Sequence, residues 1–130
     1  MATFHSALVG VYSFDMARAT DFYGNVLGLQ ETYRFPKQGD PEHVEFKVGG
    51  TTVAVSSPAG LASHGMPPPT PGHSFEIALG VDDVDALIAE LRGKGVTILR
   101  EPFDSLAGNR TAYFADPDGT WISVYHKLRN

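Results

Sequence analysis

The chain has 130 residues, 42% of them hydrophobic and 19% charged, with a formal net charge of −5 and no cysteine. That length suits one domain with its own core and is too short for two ordinary ones, while the lack of cysteine excludes disulfides, thiol nucleophiles and thiolate metal sites. An acidic balance without a Lys/Arg cluster argues against nucleic acid or an anionic membrane as partner, and no apolar run approaches the roughly 20 residues that cross a bilayer, so the cytoplasm is the expected place.

In chain order, residues 4–13 read as a strand through Leu8, Val9, Val11 and Tyr12. Asp15 offers a side-chain oxygen as a helix cap, and Ala17 to Leu27 continue at near-helical spacing up to Gly28, a plausible stop. Three strands follow, at Glu31–Phe35, His43–Val48 and Thr51–Ser56, with Gly49-Gly50 as a two-residue hairpin turn that needs positive φ. Residues 59–72 hold Gly60, Gly65, Pro67 to Pro69 and Pro71-Gly72, which reads as a stiff connector without helix or central strand.

The order then repeats. Residues 74–81 read as a strand, Asp82-Asp83 as a cap, Val84 to Arg92 as a helix closed by Gly93 and Gly95, and Val96 to Leu99 as a strand. A loop through Pro102 and Gly108 leads to a hairpin at Asp116-Pro117-Asp118-Gly119, where Pro117 presets φ and Gly119 supplies a left-handed position. Past it, strand parity puts Ile122 and Val124 on a core face and Trp121, Ser123 and Tyr125 on the other. Asp15 and Asp83 stand 68 positions apart, and the same offset lays Val9 on Ile77 and Val11 on Leu79. The chain is thus an α+β duplication: one module at about residues 4–58, the connector at about 59–72, and a second module at about 73–127.

Three segments carry a resemblance: Asp15 to Leu29 (DMARATDFYGNVLGL), Val81 to Ala86 (VDDVDA) and Tyr113 to Gly119 (YFADPDG). Together they resemble the vicinal oxygen chelate superfamily, which includes glyoxalase I, extradiol dioxygenases and bleomycin-resistance proteins. The resemblance implies two βαβββ modules with mixed sheets forming an open cup, commonly in a homodimer. It does not imply one reaction. Metal enzymes of the family take His, Gln or Glu ligands from four strand positions, which fall here on Leu8, Ala54, Glu76 and Ser123. Only Glu76 could ligate, so no metal cofactor is expected. His43 and Glu45 share a strand face and are the best substitute pair for a divalent metal.

By parity, the inward faces carry Leu8, Gly10 and Tyr12; Thr52, Ala54 and Ser56; Glu76, Ala78 and Gly80; and Trp121, Ser123 and Tyr125. Small residues beside aromatics leave room for a planar organic ligand. Phe35, Phe103, Asn109 and Arg110 are further ligand-binding candidates. Glu76 in an apolar cup would serve as a general base or acid, whereas paired with Arg110 or another cation it would be a structural or ligand-orienting charge. The leading expectation is a homodimeric, bleomycin-resistance-like protein that binds a small, partly aromatic molecule without metal. Two alternatives stand beside it: a metal-dependent lyase, isomerase or dioxygenase rebuilt on His43, Glu45 and Glu76, and a metal-free enzyme with Glu76 as base.

Overall fold

Asp15 and Asp83 both act as helix caps, at equivalent places in two halves. In the computed structural model, which describes residues 3, 5–70, 72–73 and 75–129, the Asp15 carboxylate accepts from the Arg18 amide at 3.1 Å and that of Asp83 from the Ala86 amide at 3.0 Å. Each satisfies an N–H that the first helical turn would leave without a partner. The chain forms two compact units, Met1–Pro71 and Gly72–Asn130.

The first unit contains β1 (Val9–Tyr12), α1 (Met16–Asp21), a π-helical turn (Phe22–Val26), β2 (Gln30–Phe35), β3 (His43–Val48), β4 (Thr51–Ser56) and α2 (Pro58–Ser63). Its sheet has the order β1-β4-β3-β2, with β1 parallel to β4 and the other pairs antiparallel. One face packs on α1 and the turn after it: Val11, Val44, Phe46, Val53 and Val55 are buried with Ala19, Phe22 and Tyr23. Tyr23 meets Phe22 edge-on at 5.1 Å and Phe46 at 6.0 Å. Of the two turn glycines only Gly49 has positive φ, at 55°, which is the requirement of a turn left-handed at its first central position. A register shift between Glu31 and Tyr33 lets Thr32 slip, so that Tyr33 and Phe35 lie opposite Glu45 and His43.

The second unit repeats the plan with β5 (Ile77–Gly80), α3 (Val84–Gly93), β6 (Ile98–Asp104), β7 (Asn109–Ala115) and β8 (Trp121–Lys127), in sheet order β5-β8-β7-β6. Val84, Ile88 and Leu91 fall on one stripe of α3 and are buried, as are Ile77, Ala112, Phe114, Ile122 and Val124. The core face expected for β8 is therefore the one observed. The 68-residue offset holds for both strand and helix starts, carrying Val9 to Ile77 and Met16 to Val84. Among the described residues no helix is long and apolar enough to cross a membrane.

Three element readings are corrected. The connector does hold a helix, α2, because Pro58 sits in its first turn, where a missing amide costs no intrahelical bond. Pro102 lies inside β6 and not in a loop, within the register shift between Arg100 and Phe103, where the ladder needs no donor. The opening strands of the two modules are only four residues long, since only Val9–Tyr12 and Ile77–Gly80 have partners in β4 and β8. Phe4 and Ser74, at the expected starts, lie outside the described residues.

Candidate ligand-binding faces

In the second unit the hairpin sets the position of β8. The Asp116 carboxylate accepts from the amides of Asp118 (2.9 Å) and Thr120 (2.7 Å), and Gly119 takes φ of 90°. The chain thereby enters β8 with its odd-numbered side chains on the face opposite α3. Cross-strand partners share a face, so Ser123 joins Ala78 and Tyr113, Tyr125 joins Gly80 and Thr111, and Trp121 joins Ala115. From β6, Phe103 lies opposite Thr111 and Arg100 opposite Tyr113. Trp121 and Tyr125 are 40% and 41% exposed, while Ser123 between them is buried. The Tyr125 hydroxyl lies so close over Gly80 that a Cβ there would sit 3.4 Å from it.

A guanidinium and an imidazole accompany these aromatics. The Arg100 guanidinium lies 4.1 Å from the Phe103 ring centroid, a cation–π arrangement. The His73 ring stacks on Trp121 with centroids 4.2 Å apart and planes 13° from parallel. Its Nε2 is 3.2 Å from the Gly119 carbonyl, to which a protonated nitrogen donates. The indole thus already accepts one flat partner.

Tyr12, Trp121, Ser123 and Tyr125 lie on the strand faces expected from parity, each within its own unit, and a register shift in β6 puts Phe103 on the same face as Tyr125. Arg110 is a correction: it points to the other side of its sheet. There it holds Asp85 of α3 through Nη2 (2.8 Å) and Nε (3.0 Å), and Asp104 through Nη1 (3.1 Å). The hydrogen-bonded guanidinium keeps the Asp85 carboxyl below its ordinary value, and the two carboxylates raise that of Arg110. Glu76 precedes β5 and is exposed, so the described residues do not place it in the apolar surroundings argued for a general base, and Arg110 is held by Asp85 and Asp104 instead. Arg100, Tyr113 and His73 are not among the ligand-binding candidates read from the sequence. Two register shifts set the side of Arg100, and the His73 stack joins positions 48 apart.

The first unit has its own open face. Tyr12 and His43 flank Ser56, Glu45 and Gly10 flank Ala54, and Phe35 and Tyr33 lie beyond His43 and Glu45. His43 bonds Ser56 Oγ through Nδ1 and Glu45 Oε2 through Nε2, each at 2.8 Å.

The residues at the four positions that the resemblance marks for metal ligands do not make a donor set for a divalent cation. Leu8 and Ala54 present only hydrocarbon, Ser123 only a hydroxyl, and Glu76 an exposed carboxylate. His43 and Glu45 direct their donor atoms at each other. Among the described residues no three His, Asp or Glu side chains converge.

The fold and the paired modules define a class. Residues 5–124 match the model of the glyoxalase/bleomycin resistance protein/dioxygenase superfamily, and the chain belongs to that family. It is 29% identical over 125 residues to the anthracycline biosynthesis protein DnrV of Streptomyces peucetius, covering 87% of this chain and 43% of DnrV, so it spans less than half of that relative. TnmS3, an antibiotic binding protein from Streptomyces sp. CB03234, superimposes with a TM-score of 0.72 at 29% identity over 98% of both chains. A family enzyme from Burkholderia phytofirmans gives a TM-score of 0.80 at 20% identity, covering 93% of this chain and 97% of that one, a likeness of fold alone.

Proposed function

We propose that this protein binds a small, partly aromatic molecule on the open face of its second unit, without the family's metal. The observation that carries the reading is the pair of half-exposed rings, Trp121 and Tyr125, flanking a buried serine on the side of the sheet opposite α3. Flat rings with room between them suit a planar guest, and Tyr and indole groups supply contact area with little rotamer freedom to lose. Phe103 and Arg100 extend the surface with a ring and a fixed cation. Similarity to an antibiotic binding protein supports a binding role.

Trp121 is the sole tryptophan of the chain, so its fluorescence reads this face directly. Titration with anthraquinone-2-sulfonate, a planar quencher, is expected to quench it saturably. Tyr125→Ala should weaken the apparent affinity by about 10- to 30-fold, the size of an aromatic anchor's loss. Unchanged affinity in that variant would place the ligand elsewhere.

A further inference from the structure

The open face of the first unit holds a directed chain of hydrogen bonds that the proposed function leaves unused. Ser56 Oγ, His43 and Glu45 are joined by two contacts of 2.8 Å. A carboxylate only accepts, so His43 Nε2 must donate to Glu45. In a neutral imidazole the other nitrogen then carries a lone pair, and the Ser56 hydroxyl donates to it. In that neutral arrangement the single hydrogen of Ser56 is committed, and the lone pairs of Oγ remain as acceptors. Among the described residues no second partner reaches that oxygen.

The surroundings say what kind of donor fits. Tyr12 lies opposite Ser56, Phe35 opposite His43 and Tyr33 opposite Glu45, with Tyr33 edge-on to the imidazole at 6.0 Å. All three rings are exposed. Acyl transfer by Ser56 is not supported, because the adjacent Ser57 amide is spent on the Glu42 carbonyl at 2.8 Å and is not free to hold an oxyanion.

We infer that Ser56, aimed by His43 and Glu45, is a hydrogen-bond acceptor for the hydroxyl of a phenol-type ligand whose ring lies against Tyr12, Tyr33 and Phe35. This rests on the reading that the protein binds an aromatic molecule, and adds to it a hydroxyl donor and a second face. His43 and Glu45 are positioning residues, acting through Ser56.

The test compares 2-naphthol with 2-methoxynaphthalene, which keeps the rings and loses the donor, by isothermal titration calorimetry on the full chain. 2-Naphthol is expected to bind about 5- to 10-fold tighter, the worth of one neutral hydrogen bond. Ser56→Ala should bring that ratio to about one without weakening the methoxy compound. Glu45→Gln should lower it, because an amide both donates and accepts and no longer dictates the imidazole tautomer. Loss of fold would weaken both compounds together and leave the ratio, so the ratio isolates the hydroxyl. Equal binding by the wild type, or a preference that survives Ser56→Ala, overturns this inference and leaves aromatic binding standing. If neither compound binds while anthraquinone-2-sulfonate still quenches Trp121, this inference falls and binding on the second unit stands; if none of the three binds, both readings fall.

Discussion

Arg110 shows how one residue's surroundings decide its role. A cation three positions before Tyr113 invites a ligand-binding reading, yet β7 parity turns it to the helix side, where Asp85 and Asp104 take its hydrogen bonds. Because Arg110 lowers the Asp85 pKa, the pair adds stability above the unfolded carboxylate's value of about 4, and that contribution disappears as pH falls through the lower folded value. The carboxylate is half exposed, so the effect is small and screened by salt. Asp85→Asn is expected to be less stable than wild type near neutral pH and to converge with it below about pH 4 in acid-unfolding curves. A gap that persists at pH 2 would mean that packing, not charge, distinguishes the two proteins. At this scale the sequence revealed residue types and hid partners: Arg110 read as a ligand-binding residue, because the two carboxylates that hold it on the helix side lie 25 and 6 positions away.

Among the elements, α3 explains why some features could be read and others could not. Its apolar stripe and its cap Asp83 were legible because both are local, a spacing of side chains and a carboxylate three residues from the amide it takes. A second cap was not: the Val84 amide donates to His126 Nδ1 at 3.0 Å, from a strand 42 positions later. Asp83→Ala and His126→Ala should each cost about 1 kcal/mol in chemical unfolding, through one helix amide left without its acceptor. Wild-type stability in either variant would show that water replaces that cap at no cost. The bulges follow the same logic. Nothing local announced the slip at Thr32 or the shifts around Pro102, yet these decide that Tyr33, Phe35, Arg100 and Phe103 reach open faces.

Across the whole molecule, duplication was the most legible feature, since a constant offset of 68 survives wherever both copies keep a cap and a strand. The two sheets repeat one strand order, and the copies have diverged in the chemistry of their open faces. The first carries Ser56, His43 and Glu45 among rings, and the second Trp121, Tyr125 and Phe103 with a buried serine. At the four positions to which the sequence resemblance carries the metal ligands of the family's enzymes, the chain holds Leu8, Ala54, Glu76 and Ser123, a set with one carboxylate and two hydrocarbons. Metal-free binding of an aromatic molecule is the reading that joins these facts, and the most direct measurement follows from it. Protein dialysed against EDTA is titrated with anthraquinone-2-sulfonate while Trp121 fluorescence is followed, then titrated again after manganese or zinc is restored. The account predicts saturable quenching with the same affinity in both titrations; quenching that vanishes with the chelator and returns with the metal would contradict it.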